Sequence, residues 1–238
     1  MSNTNEAMIL VGGKGTRLRS VVNDRPKPMA DVAGRPFVEW VLLHLRSQNI
    51  QHVIFCTGYM GNVIEAYFGD GRKWGIDIAY SREETLLGTA GAVRVALPLI
   101  KSERFLILNG DSYCNWDIHR LETAHIALGA QATLWLVHVE NSNRFGSVEL
   151  DETSSIRSFK EKSPDQQSGL INAGIYLVER RMVEAIPPGQ HVSMETEVFP
   201  IMIDDGLCGV VGMGQFIDIG LPSSLSMAGR LFSSGFAE

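Results

Sequence analysis

Short apolar runs alternate with helix-like segments along the first half of the chain. Ala7–Val11 is a continuous apolar run that ends at a glycine, which is typical of a buried parallel strand. Similar runs predict four more strands, at Val53–Thr57, Ile76–Tyr80, Phe105–Leu108 and Thr133–Val139. Apolar residues at helical spacing predict a helix opened by Gly34–Pro36, with Pro36 in its first turn, and helices at Asn62–Phe68, Ala90–Leu97 and Leu121–Leu128. This alternation indicates an α/β fold with a doubly wound, mostly parallel sheet flanked by helices.

The second half of the chain has a more mixed pattern. Strands are predicted at Ser147–Leu150, Ser155–Lys160, Ile171–Val178, Gly209–Gly212 and Phe216–Ile219, and helices at Met194–Ile203 and Pro222–Phe232. No linker or change in composition divides the sequence, so we expect one domain over residues 1–238 with a substrate-binding insertion around residues 140–200. Open parallel sheets bind ligands beyond the carboxyl ends of their strands, so we look for the site there.

Composition and charge narrow the class of protein. With 45% apolar and 20% charged residues, a chain of 238 residues can form a full core. The formal net charge of −6 argues against a surface that coats nucleic acid or an anionic membrane, so local positive charge must attract any anionic substrate. No apolar run approaches the roughly 20 residues that a membrane-spanning helix needs.

The sequence predicts a cytoplasmic protein. Polar residues Met1–Glu6 lead straight into the first predicted strand, without the hydrophobic region of a signal peptide. Cys56, Cys114 and Cys208 are scattered and lack CxxC spacing, which indicates a reducing compartment and no structural zinc. The six histidines form no zinc motif, and no pattern indicates a covalent nucleophile.

A glycine-rich segment follows the first predicted strand. Gly12, Gly13 and Gly15 lack side chains, so backbone N–H groups can approach phosphate oxygens closely. The spacing matches neither a Walker P-loop nor the dinucleotide-binding GxGxxG. A tight connection between elements is the alternative, and the residues that follow decide against it.

Two cationic side chains accompany this segment. Arg17 comes directly after Thr16, and Pro26 and Pro28 restrict the backbone around Lys27. A solvated lysine in a proline turn is the alternative. We favour a phosphate-binding loop in which Arg17 and Lys27 supply the positive charge for a phosphoryl-type transition state.

Two aspartates follow or interrupt apolar strands. Asp111 ends the fourth strand in Asn109-Gly110-Asp111, and Asp218 lies within Phe216–Ile219, where an unpaired carboxylate would be costly. A turn-forming aspartate is the alternative for Asp111. Convergence of both carboxylates on Mg²⁺ would explain each of them. Asp117 is interpreted as a helix cap.

A further polar segment precedes the third predicted helix. Gly88 and Thr89 open that helix, so its free N–H groups could meet the polar edge of a ligand. A carboxylate suits the N–H donors of guanine, and we favour that role for Glu84. For Glu83 we favour an acidic turn that the helix dipole stabilises.

Candidate sugar-binding residues lie in the second half. Lys162 would hold a sugar phosphate and Glu161 the sugar hydroxyls, although an exposed charge run is the more common meaning of such a pattern. Asn172, in an apolar strand, must find polar partners, of which a sugar hydroxyl is one option. Gly146 would allow close approach of the sugar ring.

Taken together, these motifs resemble those of the sugar-1-phosphate nucleotidyltransferases. The motifs occur in the family's order: Leu10–Leu18, Pro26-Lys27-Pro28, Leu87–Gly91, Asn109–Asp111, Glu161-Lys162, Asn172–Gly174 and Asp218–Gly220. The resemblance covers nearly the whole chain and implies a Rossmann-like, glycosyltransferase-A-type core.

The resemblance also implies roles for individual residues. The residues implied to bind the nucleotide are Leu10, Gly12, Gly13, Gly15, Thr16, Glu84, Gly88 and Thr89. The residues implied to bind the sugar phosphate are Gly146, Glu161, Lys162 and Asn172. Arg17 and Lys27 would be catalytic, and Asp111 and Asp218 would bind Mg²⁺. An in-line attack of the sugar phosphate on the α-phosphorus, without a covalent intermediate, fits this set.

Within the family, Ser20–Ala30 looks most like the D-glycero-D-manno-heptose 1-phosphate guanylyltransferases. That likeness implies GTP and the heptose 1-phosphate as substrates, for surface polysaccharide synthesis, and a homodimer is a family-level expectation. Mannose, glucose or N-acetylmuramate 1-phosphate with GTP, UTP, CTP or dTTP stays open, as does a non-catalytic nucleotide-sugar sensor. Ser163 stands where the family often has proline after Glu161-Lys162, which leaves the shape of the sugar loop open.

Overall fold

A mixed sheet of nine strands forms the centre of the computed structural model, which describes residues 4–140, 142, 145–160 and 168–235. The strands in the first half of the chain are β1 Glu6–Leu10, β2 Asp31–Val32, β3 Arg35–Pro36, β4 His52–Thr57, β5 Asp77–Arg82, β6 Arg104–Asn109 and β7 Ser112–Cys114. Those in the second half are β8 Ala132–Val139, β9 Ser147–Leu150, β10 Ile156–Lys160, β11 Gly169–Glu179, β12 Leu207–Gly212 and β13 Phe216–Asp218. The helices are α1 Phe37–Ser47, α2 Gly61–Phe68, α3 Gly88–Ala96, α4 Ile118–Ala127, α5 Arg180–Glu184, α6 Phe199–Ile201 and α7 Pro222–Ser233.

Four parallel strands carry the predicted α/β rhythm, in the order β6-β1-β4-β5. Strand β11 then joins β6 antiparallel and also pairs with β8 and β9, and β12 extends β8 in parallel. The predicted α/β class, with helices on both sides of a mixed sheet, is confirmed. The carboxyl ends of β1, β4 and β6 meet at one edge, as the parallel register requires.

The core divides into two clusters, one on each side of the sheet. Successive side chains of a strand point to opposite faces, so Ala7 and Ile9 belong to one cluster and Met8 to the other. Helices α1, α2, α4 and α7 pack on the first face, and α3, α5 and α6 pack on the second. The strands are therefore covered on both faces, which explains why they are apolar without alternation.

Two small sheets lie outside the main one. Strand β13 pairs antiparallel with β7, a strand that the sequence did not predict because it has only three residues. Strands β2 and β3 form a hairpin whose turn residues, Ala33 and Gly34, have positive φ angles of 54° and 79°. The prediction of Pro36 in the first helical turn is wrong, because Pro36 pairs with Asp31 in this hairpin and the helix begins at Phe37.

The predicted helix over Met194–Ile203 is also different in detail. Residues Met194–Val198 form a π-helix, and a short α-helical turn follows at Phe199–Ile201.

The interpretation of Asp117 as a helix cap is confirmed, because its side chain accepts a hydrogen bond from the Arg120 amide at 3.1 Å. Among the described residues, no helix combines the length and the apolar character needed to cross a membrane.

Candidate functional site

A cavity of about 430 Å³ lies at the carboxyl ends of the parallel strands. Leu10 of β1, Cys56 of β4 and Asn109 of β6 form part of its wall. The cavity therefore occupies the sheet edge at which ligands of this fold class bind. The further predicted site residues that line it are Gly12, Gly13, Gly15, Thr16, Arg17, Lys27, Gly88, Thr89 and Asp111.

Two glycines of the glycine-rich segment fit against their neighbours only because they lack side chains. A Cβ atom on Gly12 would lie 2.9 Å from Glu83 Oε2 and 3.2 Å from the Gly58 amide nitrogen. Gly15 has φ +56°, and a Cβ there would lie 2.7 Å from the Lys27 Cβ. Close packing at Gly12 and a left-handed backbone at Gly15 thus bring the segment against the side chain of Lys27.

Lys27 is the cationic centre of the cavity. It begins a short 3₁₀-helix, Lys27–Met29, whose first turn contains Pro28. Its side chain is only 9% exposed, and Nζ lies 2.6 Å from Asp111 Oδ2 and 3.7 Å from Asp218 Oδ2. The ammonium is therefore desolvated but neutralised by two carboxylates, as a buried charge requires.

Pairing between β7 and β13 brings the two aspartates together. Asp218 lies opposite Ser112 in that ladder, and the Ile219 amide donates to the Asp111 carbonyl at 3.0 Å. Asp218 Oδ1 also accepts from the Gly220 amide at 2.9 Å. The second oxygen of this carboxylate, Oδ2, faces Lys27.

The two aspartates form the donor set that a hard cation would find here. Among the described residues, no group of three or more His, Cys, Asp or Glu side chains could hold a metal ion. Mg²⁺ nevertheless binds through one or two carboxylates plus substrate phosphates, so Asp111 and Asp218 together fit that ion.

Arg17 and Thr16 lie at the solvent side of the cavity. Both side chains are exposed, and both residues belong to a 3₁₀-helix that the buried Leu18 anchors in the core. The guanidinium is therefore free of the dense packing that surrounds Lys27. An exposed cation at the mouth can contact a phosphate that projects towards solvent.

Glu83 and Glu84 occupy different environments. Glu83 lines the cavity, accepts a hydrogen bond from the Leu87 amide at 2.9 Å, and has a pKa raised by burial. Glu84 is exposed and lies outside the set of described residues that line the cavity. The geometry therefore favours Glu83 over Glu84 as the carboxylate that a base would meet.

The start of α3 is covered by another segment of the chain. The amides of Ala90 and Gly91 both donate to the Val192 carbonyl, at 3.0 and 3.3 Å. A Cβ on Gly88 would lie 2.4 Å from the same carbonyl oxygen. These two amides are thus engaged within the protein, which leaves Gly88 and Thr89 as the residues that face the cavity.

The predicted sugar-binding residues are less closely assembled. Glu161 and Lys162, with Ser163, lie outside the described residues. Gly146 and Asn172 are described but do not line the cavity. Asn172 lies at a bulge of β11, where Nδ2 donates to Tyr176 Oη at 2.9 Å and Oδ1 accepts from the Gly174 amide at 2.8 Å.

Sequence reasoning missed three polar residues at or near the cavity. His191 and Asn109 line it, and Glu195 bonds Thr89 from the π-helix. Asn109 could have been found, because it ends strand β6 two residues before Asp111. His191 and Glu195 carry no local signal, since they meet α3 only through the tertiary fold.

The chain matches the nucleotidyl transferase family over residues 6–233. It is 40% identical over 220 residues to a mannose-1-phosphate guanylyltransferase of Mycobacterium tuberculosis, covering 91% of this chain and 61% of that protein's length. It is 37% identical over 224 residues to a D-glycero-alpha-D-manno-heptose 1-phosphate guanylyltransferase of Aneurinibacillus thermoaerophilus, covering 94% of this chain and 96% of that protein.

A similar structure has also been solved. HddC from Yersinia pseudotuberculosis, crystallised as a complex with GMP-PN, superposes with a TM-score of 0.84 and 30% identity. The match covers 96% of this chain and 100% of that one. The Rossmann-like fold expected from the motifs is therefore confirmed.

Proposed function

The chain belongs to the nucleotidyl transferase family, and we propose that it transfers GMP from GTP to D-glycero-D-manno-heptose 1-phosphate. The products are GDP-heptose and pyrophosphate. One observation carries this proposal: a buried lysine held by two aspartates beside a glycine-rich loop. The match along 96% of the Aneurinibacillus enzyme supports the choice of sugar.

The reaction is an in-line displacement at the α-phosphorus of GTP. A phosphate oxygen of the sugar 1-phosphate forms the new P–O bond, and the bond to the leaving pyrophosphate breaks. The attacking phosphate is already anionic near neutral pH, so no strong general base is needed. Lys27 neutralises the charge of the α-phosphate, and Arg17 stabilises the negative charge that develops on the leaving pyrophosphate.

Asp111 and Asp218 hold Mg²⁺ in this proposal. When bound, the ion neutralises charge on the phosphates of the two substrates. Lys27 contacts the same two carboxylates, at 2.6 and 3.7 Å. The aspartates thus serve both to hold the ion and to pair with the lysine inside the cavity.

The nucleotide lies along the glycine-rich segment and the start of α3. Leu10, Gly12, Gly13, Gly15 and Thr16 contact the phosphates and ribose. Gly88, Thr89 and Glu83 form the base pocket, whereas Glu84, which does not line the cavity, is the less favoured candidate. A carboxylate accepts hydrogen bonds but donates none, which suits the N–H donors of guanine.

The sugar phosphate is assigned to the second half of the chain. Gly146, Glu161, Lys162 and Asn172 bind it in this proposal. The product supplies surface polysaccharide synthesis, the enzyme works in the cytoplasm, and its assembly is a homodimer. The polysaccharide and homodimer assignments rest on the family resemblance, and the cytoplasmic one rests on the scattered cysteines.

A second substrate is favoured by a specific observation. The mycobacterial mannose-1-phosphate guanylyltransferase is 40% identical to this chain, which makes mannose 1-phosphate the competing sugar. The chemistry at the α-phosphorus would be the same. The two sugars differ in the exocyclic part, which the Asn172 region would read.

A substrate panel tests the proposal. GTP, ATP, UTP, CTP and dTTP are each combined with heptose, mannose, glucose and N-acetylmuramate 1-phosphates, and pyrophosphate release is measured. GTP with heptose 1-phosphate is expected to give the highest kcat/KM. Preference for another pair would replace this assignment, and no release with any pair would contradict the transfer chemistry.

Lys27→Met tests the chemical role in the same assay. Loss of one charge-stabilising contact costs about 10²–10³ in rate, so kcat is expected to fall by at least that factor. Lys14→Met, in the same loop but with an exposed side chain outside the cavity lining, is the matched control and should keep activity within a few fold. Equal losses in the two variants would contradict the role of Lys27.

A further inference from the structure

Glu195 accepts hydrogen bonds from three hydroxyl groups, although the proposed reaction does not use its side chain. Its Oε2 accepts from Thr89 Oγ1 at 2.7 Å and from Ser193 Oγ at 3.1 Å. Its Oε1 accepts from Tyr176 Oη at 3.2 Å. Hydrogen bonds to a carboxylate are about twice as strong as those between neutral groups. The three hydroxyls are therefore held around a single charged group.

One branch of this arrangement reaches the nucleotide side of the cavity. Thr89 lines the cavity at the start of α3. Its hydroxyl donates to Glu195 and accepts from the Met194 amide at 2.8 Å. The π-helix that contains Met194 and Glu195 thus fixes both the bond that the Thr89 hydroxyl donates and the bond that it accepts.

The other branch reaches the predicted sugar side. Tyr176 is fully buried, and its hydroxyl accepts from Asn172 Nδ2 at 2.9 Å while it donates to Glu195. Burial raises the pKa of Tyr176 well above its ordinary value, so the phenol keeps its proton. Asn172 in turn accepts from the Gly174 amide through Oδ1. The carboxamide is held with its oxygen and nitrogen in defined directions.

The carboxylate of Glu195 determines which group donates in each hydrogen bond of this network. A carboxylate only accepts, so Thr89 and Tyr176 must both point their hydrogens towards it. Tyr176 can then accept from Asn172, which orients that amide. A glutamine at position 195 would have an amide that donates on one side, and the direction of the Tyr176 bond could reverse.

We propose that Glu195 is a positioning residue that couples the nucleotide and sugar-phosphate halves of the site, through Thr89 on one side and Tyr176 and Asn172 on the other. This inference rests on the proposed function, because it takes Thr89 and Asn172 as contacts of the two substrates. A π-helical turn is rare and is frequently found at functional sites, and here it carries Glu195. A substrate that binds Thr89 or Asn172 changes the hydrogen bond of that residue to the network, and Glu195 transmits this change to the contact on the other side.

Coupling of this kind is a reciprocal free energy and can be measured without turnover. The α,β-methylene analogue of GTP cannot be cleaved at the α-phosphorus, so both ligands can be bound together. The Kd of heptose 1-phosphate is measured by calorimetry, with and without saturating analogue and with Mg²⁺ present. The ratio of the two Kd values is the coupling factor.

The wild-type protein is expected to give a coupling factor of about 5 or more, within the usual range for coupled sites. Glu195→Gln should reduce this factor to about 1, while the protein still binds each ligand alone. Glu197→Gln, the same substitution at an exposed position of the same π-helix, should keep the wild-type factor. Tyr176→Phe breaks the chain on the other side of Glu195 and should also give a factor near 1.

The outcomes separate the two proposals. If the wild-type protein binds neither ligand, the proposed function fails. If it binds both but its coupling factor is 1, or Glu195→Gln keeps the wild-type factor, the positioning role of Glu195 alone is overturned. Thermal unfolding shows whether Glu195→Gln is misfolded. If it is, Tyr176→Phe tests the inference in its place, and a wild-type coupling factor in Tyr176→Phe overturns it.

Discussion

The charged form of Glu83 lowers the stability of the fold, and the same side chain has a proposed role in binding guanine. Its carboxylate lies beside Gly12 in the cavity wall, and burial is the largest cause of its raised pKa. An acid whose pKa is higher in the folded state binds more protons there than in the unfolded chain. Its charged form therefore lowers stability as pH rises above the unfolded pKa of about 4.5.

Glu83→Gln is expected to separate these two effects. The amide oxygen can still accept from the Leu87 amide, and the buried charge is removed, so the variant should be more stable than wild type at pH 7.5. The difference should vanish near pH 4. The affinity for GTP should fall, because guanine loses a charged acceptor. Urea unfolding at both pH values and calorimetry with GTP would check this; a variant that is less stable at pH 7.5 would contradict it.

The site residues differ in how far sequence could place them. Asp111 and Asp218 were expected to converge because each carboxylate at an apolar strand needs a partner, and the structure brings both to Lys27. Glu195 could not be found, because its partner Thr89 is distant in sequence and the bond depends on how a π-helix packs on α3.

At the level of elements, the bulge in β11 depends on one glycine. Gly174 has φ +76°, and a Cβ there would lie 2.7 Å from Asn109 Nδ2. The register of β11 against β8 shifts between Asn172 and Tyr176, around this position. The bulge therefore sets the direction of Asn172 and keeps Asn109 close to the strand.

Gly174→Ala and Gly229→Ala are expected to act in opposite directions. Alanine at Gly174 must adopt a left-handed backbone and meet Asn109, so unfolding free energy should fall by about 1–3 kcal/mol. Gly229 lies inside α7 with nothing within 4 Å of a Cβ, and alanine there should raise stability by about 0.5–1 kcal/mol. Urea denaturation measures both values, and a stabilising Gly174→Ala would disprove the bulge argument.

The elements that sequence predicted well are those that local pattern decides. Apolar runs located the long strands to within a residue or two, because burial on both faces selects such runs. Strand β7 and the β2–β3 hairpin exist only through pairing with other residues, and neither has the length to leave a periodic signal. The start of α1 was misplaced for the same reason.

On the scale of the whole molecule, the half-buried His44 and the buried His125 make stability depend on pH. His44 on α1 lies beside Trp116, and His125 on α4 contacts Thr133 and Glu179. Burial is the main cause that lowers the pKa of both below the ordinary 6.5. The unfolded chain then binds more protons than the folded protein below that pH, so stability is lost as pH falls through 6.5.

Unfolding free energy is therefore expected to decrease from pH 7.5 to pH 5.5. The double variant His44→Gln/His125→Gln should show a smaller decrease over the same interval, since neither glutamine titrates. Urea denaturation at several pH values measures both slopes. A wild-type slope that the double variant leaves unchanged would rule out these histidines as its source.

The β7–β13 ladder has a consequence for re-engineering substrate choice. Asp111 and Asp218 are joined by main-chain pairing outside the nine-stranded sheet, whereas the candidate sugar-binding residues lie between them in the chain. The ladder joins the two ends of the segment that lies between β7 and β13. Under the proposed function, changes confined to the candidate sugar-binding residues can therefore alter the choice of sugar without rebuilding this pair of aspartates.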